Sequence, residues 1–341
     1  MHDIFVRYAQ SVFECDERRS TLLRRMAEKS GIEHRYSFLK PAADWLTGPV
    51  LDTDSFYVRG NFPETAARMR LFEARAPELA AETIERLNLG HDRDRITHLL
   101  ITTCTGLSAP GLDLEVIERC RLQTSVERTM IGFMGCYAAI NALKLARHIV
   151  RSEPHARVLV LNLELCTLHF QETTELAQVL CFLLFADGCA ACLVTAEPHG
   201  IALDSFRATL MPDTRDLMSW NIRDFGFDMV LSGQVPGAIH DALRASSNEI
   251  LAAAPTGSID LWAVHPGGRS VLDAVERAFD LSPAALSVSR EVLRRYGNMS
   301  SATVMFVLDA LMRTATRGAR GCAMSFGPGL VAETMLFHMA A

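Results

Sequence analysis

The sequence predicts an α/β protein with layered sheets, assembled from two halves of similar layout. From residue 97 onward, short apolar strand patterns alternate with segments of helical period, and this alternation is typical of sheets covered by helices. The series in residues 97–192 is followed by one of similar order in residues 259–339. No linker rich in Pro, Ser or charge separates them, so we expect the halves 1–205 and 206–341 to share one core.

The individual elements follow from periodicity and from the turn residues between them. Residues 1–90 have mostly helical patterns, with loops at Lys40-Pro41 and at 60–63. Residues 213–240 carry Asp, Gly and Trp without clear periodicity, so we expect loops or a flap over a site there. The predicted strands are 97–106, 129–135, 156–165, the segment through Cys192, 259–268, 321–329 and 333–339. The predicted helices are 111–120, the segment after Cys136, the segment through Phe279 and 301–315.

Composition and charge exclude several classes of protein. The chain has 341 residues, 49% of them hydrophobic, and a net charge of -6 at pH 7, so we expect no basic surface for nucleic acid. The start, MHDIFVRYAQSVFECDERRS, is too charged for a signal peptide. The longest apolar run, 179–186, is too short to span a bilayer. We therefore expect a cytoplasmic protein with no membrane or nucleic-acid partner.

The nine cysteines are expected to be reduced thiols, because no secretion signal accompanies them. Cys189 and Cys192 form a C-x-x-C, but no second pair and no histidines follow at the spacing of a zinc site. The surrounding DGCAACLVTAE predicts a buried strand of small residues. We therefore expect no metal site.

Cys136 lies where a predicted strand meets a predicted helix. Unpaired backbone N–H groups and the positive end of the helix dipole stabilise a thiolate there and lower its pKa. Gly132 and Gly135 permit the tight turn that such a junction needs. Cys136 is therefore a candidate nucleophile; the alternative is a small buried hydrophobic residue, which is the usual role of a single cysteine.

His265 and Asn298 are the candidate partners of this nucleophile. His265 ends the strand DLWAV just before a Pro-Gly-Gly turn, where a duplicated fold would bring a residue of the second half beside Cys136. Asn298 precedes a predicted helix, and the alternative for it is an ordinary N-cap. His148 in a helix and His338 in the last strand lack such a glycine junction.

Two chemistries use Cys, His and Asn in this chain order. In a papain-like protease, Asn orients the His. In carbon–carbon condensation of thioesters, His and Asn donate hydrogen bonds to a thioester carbonyl that becomes an enolate after decarboxylation. The protease signature C-G-S-C-W is absent around Cys136, and the duplicated layout does not suit that fold, so condensation is favoured.

Several long motifs surround these residues. In chain order they are RRMAEKSGIEHRY, LITTCTGLSAPGLD, GFMGCYAAINALKLA, WAVHPGGRSVLDAVE, RYGNMSSATVMFVLD and SFGPGLVAETMLF. Through these motifs nearly the whole chain resembles the type III polyketide synthases, the family of chalcone synthase. The resemblance implies a thiolase-like αβαβα fold from two duplicated halves, a homodimer, acyl-CoA and malonyl-CoA as substrates, and no metal or organic cofactor.

The resemblance also implies roles for individual residues. Cys136 matches the nucleophile that holds the growing acyl chain, and His265 and Asn298 match its two partners. Arg25 and Lys29 match positions that contact the CoA phosphates, with a solvated helix face as the alternative. Phe185 matches the phenylalanine between CoA tunnel and cavity, and the positions matched to the cavity wall are Glu164, Ser300, Gly327, Pro328 and Gly329.

The sequence departs from the plant enzymes around the cavity. Cys104, Cys166 and His169 stand where plant chalcone synthases carry threonines, the first two as in bacterial members, and Met229 aligns with a second gatekeeper phenylalanine. These changes favour an aliphatic acyl-CoA or malonyl-CoA as starter, with resorcinol, pyrone or related polyphenol products. By comparison with the family, we expect roughly 25 residues of a first strand and a Pro-rich turn to be missing, and therefore either a misassigned start site or an unpaired sheet edge.

Three related activities remain as alternatives. A ketoacyl-ACP synthase III-like enzyme uses the same three residue types, although HPGG and NMSSA fit the polyketide branch better. Biosynthetic thiolase needs a second cysteine, for which Cys322 is a candidate, but its strand pattern predicts a core position. A non-catalytic CoA-binding relative is disfavoured because the nucleophile and its two partners are all present.

Overall fold

Two four-stranded sheets form the framework of the molecule, which the computed structural model describes for residues 6–7, 9–11, 17–173 and 175–340. The first sheet has the order β2-β1-β3-β4, and the second has the order β5-β10-β9-β8. The strands of the first sheet are β1 (His98–Thr103), β2 (Glu127–Gly132), β3 (Val158–Leu165) and β4 (Asp187–Val194). Those of the second are β5 (Ile201–Leu210), β8 (Leu261–Val264), β9 (Arg320–Gly327) and β10 (Val331–Met339).

Helices form three layers around and between these sheets. They are α1 (Glu17–Ser30), α2 (Thr65–Glu85), α3 (Leu112–Cys120), α4 (Ala138–Ser152), α5 (Leu176–Leu184), α6 (Val235–Ile250), α7 (Arg269–Ala278), α8 (Ser287–Tyr296) and α9 (Ala302–Thr314). α4 and α9 contact strands of both sheets and each other, so they form the middle layer. α2 and α3 cover the first sheet, and α6 and α7 cover the second. The predicted αβαβα layering is confirmed.

The middle layer is packed from both halves of the chain. Ile140 and Leu143 of α4 share one apolar cluster with Val304 and Leu308 of α9 and with Phe337 of β10. These residues recur every three or four positions along each helix, which is the spacing that keeps them on one face. The helix that follows Cys136 is therefore held against the second half by its apolar face.

The two sheets repeat one pairing scheme, as the duplicated layout predicts. β1 pairs parallel with β3, and β3 pairs antiparallel with β4; β8 pairs parallel with β9, and β9 pairs antiparallel with β10. β10 continues to β5, whereas β4 pairs on its outer side with no strand of the described residues. β5 belongs wholly to the second sheet, so the predicted boundary at residue 205 falls inside a strand.

Two predicted segments differ from the structure. Residues 213–240, expected as loops or a flap, contain an antiparallel hairpin of β6 (Met218–Arg223) and β7 (Gly226–Leu231) and the start of α6. The two short strands have no clear periodicity in the sequence and are stabilised by pairing with each other. Pro236 lies in the first turn of α6, where proline is well tolerated. Residues 31–64, expected as mostly helical, have only turns and isolated bridges.

Within the described ranges, no helix combines the length and apolar character needed to cross a bilayer.

Candidate active site

Cys136 lies in the 3₁₀ turn Gly135–Tyr137, between the end of β2 and the start of α4. Gly135 has φ +67°, and a Cβ atom at this position would lie 2.3 Å from Cδ of Pro328. Only glycine accepts both this backbone conformation and this approach at low cost. The glycine before the cysteine therefore lets the second half of the chain pack directly against the turn.

Asn298 and Ser300 are hydrogen-bonding neighbours of the cysteine. The Cys136 sulfur lies 4.0 Å from Oδ1 of Asn298 and 3.8 Å from Oγ of Ser300, close enough for the S–H to donate a weak bond. The amide N–H of Ser300 donates to the same Oδ1, at 2.9 Å. Nδ2 of Asn298 donates to the carbonyl of Gly267 at 3.2 Å, which fixes the orientation of the amide group.

His265 follows β8 and faces the same cavity as Cys136 and Asn298. Its backbone N–H continues the sheet by donating to the carbonyl of Met324 at 2.7 Å. Both ring nitrogens are buried, and neither has a hydrogen-bond partner within the described residues. Burial lowers the pKa of His265 to about 3, so the imidazole is neutral. A buried ring with two unpaired nitrogens is ready for a substrate or a proton.

The thiol of Cys136 is neutral in the free protein. Burial raises its pKa to about 12, and the hydrogen bonds to Ser300 and Asn298 oppose this effect only in part. The sequence argument from the helix dipole, which predicts a lowered pKa, is therefore wrong for this state. The physical reason is that a thiolate loses its hydration when Cys136 is buried, and this loss is the largest effect on its pKa.

These side chains open into one cavity of about 360 Å³ with a predominantly apolar lining. Four thiols contribute to the wall, namely those of Cys104, Cys136, Cys166 and Cys181. Other lining residues that the sequence analysis singled out are Phe185, Met229, Ser300 and Pro328. The cavity therefore brings most of the predicted site residues together.

Glu164 and His169 lie behind the cavity wall and do not line it. Oε2 of Glu164 accepts the N–H of Cys104 at 2.9 Å, so the carboxyl group supports a lining residue from outside. Burial raises the pKa of Glu164 to about 7. His169 is covered by the hairpin ring of Phe227, 4.0 Å away between ring centroids. The resemblance therefore placed both residues correctly near the cavity, but it was wrong in placing their side chains at the cavity surface.

The Gly-Pro-Gly turn contributes only its proline to the cavity wall. A Cβ atom on Gly327 would lie 2.6 Å from Cδ1 of Tyr137, so this glycine serves the packing between the halves. Gly329 has φ +74°, which glycine adopts freely. The two glycines therefore shape the turn that presents Pro328.

Arg25 and Lys29 are exposed and lie one turn apart on α1. Met26, next to Arg25 on the same helix, lines the cavity, whereas Arg25 and Lys29 do not. This position is compatible with contacts to an anionic group at the entrance. Met26 itself was missed in the sequence analysis, as were Trp220 and Cys181.

The C-x-x-C of Cys189 and Cys192 lies within β4, where the two residues pair with Leu163 and Val160 of β3. The eight cysteines within the described ranges are unpaired, and Cys15 lies outside those ranges. No group of three potential metal ligands occurs among the described residues. Cys322 is buried in β9, as its strand pattern predicts.

Sequence comparison extends this picture over both halves. Residues 1–198 match the chalcone and stilbene synthases, N-terminal domain, and residues 202–341 match the chalcone and stilbene synthases, C-terminal domain. The bisdemethoxycurcumin synthase of Oryza sativa subsp. japonica is 33% identical over 337 residues, which cover 92% of this chain and 82% of the relative.

Solved structures show the same fold. PKS-I from the brown alga Ectocarpus siliculosus has a TM-score of 0.86 and 28% identity, covering 98% of this chain and 93% of that chain. The 1,3,6,8-tetrahydroxynaphthalene synthase of Streptomyces coelicolor A3(2) has a TM-score of 0.85 and 25% identity, covering 100% and 95%. The type III polyketide synthase domain of Steely1 from Dictyostelium has a TM-score of 0.88, at 24% identity over 99% and 95% of the two chains.

The five-layered duplicated fold, with a cysteine, a histidine and an asparagine around one buried cavity, defines a thiolase-like acyltransferase. With both family domains matched in order, the chain belongs to the chalcone and stilbene synthase family and is a type III polyketide synthase. Enzymes of this family use acyl-CoA and malonyl-CoA as substrates.

Proposed function

We propose that Cys136 carries the acyl chain and that His265 and Asn298 drive extension with malonyl-CoA. The observation that supports this proposal is the convergence of a thiol, an unpaired imidazole and a fixed amide in one buried cavity. In loading, His265 takes the S–H proton, the sulfur attacks the thioester carbonyl of the starter, and CoA leaves as its thiol with that proton.

Extension uses the same two partners in a different role. Malonyl-CoA loses CO2, and the electron pair of the broken bond forms an enolate whose oxygen accepts hydrogen bonds from His265 and from Nδ2 of Asn298. The enolate carbon then attacks the thioester on Cys136, and the sulfur leaves as the thiolate. Transfer of the lengthened chain from CoA back to the sulfur begins the next cycle. Neutral His265 suits this role, because it donates one N–H without quenching the enolate.

We further propose an aliphatic acyl-CoA or malonyl-CoA as starter, with small resorcinols, pyrones or related polyphenols as products. The cavity is modest in volume and mostly apolar. Met229 supplies a flexible wall where a phenylalanine would be stiff, and Trp220 fills space beside it. Cysteines at positions 104 and 166 support a place in the bacterial branch.

Arg25 and Lys29 are proposed to bind the phosphates of CoA at the cavity opening. Their exposure, their spacing of one helical turn and their position beside Met26 support this role. No metal or organic cofactor enters the proposed reaction. A homodimer in the cytoplasm, implied by the family resemblance, belongs to the same proposal, and sedimentation of the purified protein tests the dimer.

The test is mass spectrometry of the products formed from malonyl-CoA with hexanoyl-CoA, longer acyl-CoAs or coumaroyl-CoA as competing starters. We expect pyrones or resorcinols from the aliphatic starters or from malonyl-CoA alone, and none from Cys136→Ala. A clear preference for coumaroyl-CoA with chalcone as the main product would contradict the proposed starter. The absence of any condensation product would contradict the proposed function itself.

A ketoacyl-ACP synthase III-like activity is the second candidate, because the same three residue types serve it. Extension from malonyl carried on acyl carrier protein, with no extension from malonyl-CoA, would identify that activity. Exposed Arg25 and Lys29, on the helix that carries Met26, are compatible with free CoA as the carrier.

A further inference from the structure

His169 hydrogen-bonds to two segments that are far apart in sequence. Its Nε2 lies 2.7 Å from the carbonyl oxygen of Thr105, in the loop after β1. Its Nδ1 accepts the backbone N–H of Phe227, in β7, at 3.1 Å. Because a carbonyl only accepts, Nε2 carries the proton and Nδ1 is the acceptor. One neutral tautomer therefore bridges the loop and the hairpin, and burial lowers the pKa of His169 to about 3.

Aromatic contacts reinforce the bridge. The ring of His169 stacks on Phe227 at 4.0 Å with an interplanar angle of 16° and meets Trp220 edge-on at 5.4 Å and 89°. The indole N–H of Trp220 donates to the carbonyl of Cys104 at 2.7 Å. Two successive carbonyls of the loop, at Cys104 and Thr105, therefore each accept one hydrogen bond from this aromatic group.

The bridged segments are two walls of the same cavity. Trp220 and Met229 are paired directly across the hairpin, so their side chains share one face, and both line the cavity. Cys104 and Thr105 line it from the loop side. The separation between the two walls therefore depends on the contacts that His169 makes from behind them.

We propose that His169 is a positioning residue that holds the β6–β7 hairpin against the Cys104–Thr105 loop and thereby limits the length of chain that the cavity accepts. The effect on chain length rests on the proposed polyketide synthesis. The contacts by which His169 holds the hairpin are present in the free protein. This role differs from a cavity-lining role, because His169 touches no part of the cavity.

The clamp is tested by His169→Gln, with His148→Gln as the matched control at an exposed helix position. Loss of the stacked ring and of one or both buried hydrogen bonds is expected to raise amide hydrogen exchange in residues 218–231 by about tenfold. The control is expected to leave exchange there unchanged. Trp220→Phe, which removes the bond to Cys104 and keeps an aromatic ring, provides a second and milder variant for the exchange measurement.

The functional consequence is tested on the same proteins by product analysis. His169→Gln is expected to shift the products towards longer chains, while the rate of acylation of Cys136 stays close to that of the wild type. A merely destabilising change would lower acylation and all products together.

Each outcome decides one part of the proposal. Unchanged hydrogen exchange in both variants would overturn the clamp. Raised exchange with unchanged product lengths would overturn its role in specificity. If the wild type makes no polyketide, the proposed function fails, and the exchange measurement still decides whether His169 clamps the hairpin.

Discussion

The hydroxyl of Ser301 donates a 2.6 Å hydrogen bond to Oε1 of Glu164, and this bond joins the two halves of the molecule behind the active site. Glu164 lies in β3, whereas Ser301 precedes α9. Oε2 of the same carboxyl accepts the N–H of Cys104, and the Cys104 sulfur accepts the N–H of Gly135 at 2.9 Å. Three hydrogen bonds therefore connect the turn of the nucleophile with the helix that follows Asn298.

Ionisation of Glu164 is expected to make folding stability depend on pH. Its pKa is raised from 4.5 to about 7 by burial, so the folded protein binds the proton more tightly than the unfolded chain does. The associated stability is fully present below pH 4.5 and is lost as pH rises through about 7. A shift of this size corresponds to roughly 3 kcal/mol.

The measurement compares wild type and Glu164→Gln by urea unfolding between pH 4.5 and 8. Glutamine keeps the shape, accepts from Cys104 and donates to Ser301, so the fold is expected to persist. The wild type should lose stability relative to the variant as pH rises. For the control Glu153→Gln, at an exposed position, the difference in stability from the wild type should not change with pH. A difference that is constant with pH would contradict a raised pKa of Glu164.

Cys136 is expected to react slowly with iodoacetamide in the absence of substrate. With a pKa of about 12, little thiolate is present at neutral pH. The alkylation rate should rise steadily above pH 9, and Cys136→Ala should identify the labelled site by mass spectrometry. A plateau between pH 6 and 8 would instead indicate a thiolate paired with protonated His265.

Asn298→Ala is expected to separate loading from extension. The variant keeps Cys136 and His265, so acylation by the starter should be close to normal. Removal of one donor to a developing oxyanion typically costs about 100- to 1000-fold in rate, so release of CO2 from malonyl-CoA should fall by that factor. Single-turnover acylation and CO2 release measure the two steps separately. Near-normal decarboxylation would remove Asn298 from the mechanism.

Gly135→Ala is expected to disturb the nucleophile through contact with Pro328. The added Cβ would lie 2.3 Å from the proline Cδ, at a backbone φ of +67°. Gly31→Ala is a matched control, because Gly31 has φ +77° but nothing within 4 Å of its Cβ position. Both should lose about 1–2 kcal/mol of stability from the backbone alone.

The contact of the new methyl group with Pro328 lowers the free energy of unfolding further, and it occurs only at position 135. Gly135→Ala should therefore be less stable than the control in urea unfolding and should also lose acylation of Cys136. Equal stability and full acylation in the two variants would show that the turn tolerates a methyl group.

Periodicity and glycine positions predicted the parts of the site that depend on local order. Cys136 follows β2 of the first sheet and His265 follows β8 of the second, each beside a glycine turn, and the two side chains line one cavity between the halves. Periodicity also predicted the helix after Cys136 and the helix at 301–315, whereas the αβαβα layering came from the family resemblance. The fold and the three central residues were therefore accessible from the sequence.

The sequence did not predict which side chains reach the cavity surface or how burial changes their pKa values. Glu164 and His169 are close in sequence to residues that line the cavity, but their side chains lie behind its wall. There Glu164 accepts a hydrogen bond from the backbone of Cys104, and His169 donates one to the backbone of Thr105. The pKa of Cys136 depends on burial by both halves of the chain, which no local pattern encodes. Trp220 sits in a short hairpin whose strands are ordered mainly by pairing with each other.

Arg25 and Lys29 are expected to bind CoA through charge. The double variant Arg25→Ala/Lys29→Ala should raise KM for malonyl-CoA by about tenfold at low salt, and the effect should shrink as salt screens the exposed charges. The turnover number should change little, since neither side chain reaches the cavity. Malonyl-N-acetylcysteamine lacks the phosphates, so its KM should be the same for variant and wild type. Arg24→Ala, on the same helix beside a separate groove, controls for a general loss of positive charge. An equal rise in KM for both thioesters, or for Arg24→Ala, would show that these residues act on the fold or on the overall field and not on the CoA phosphates.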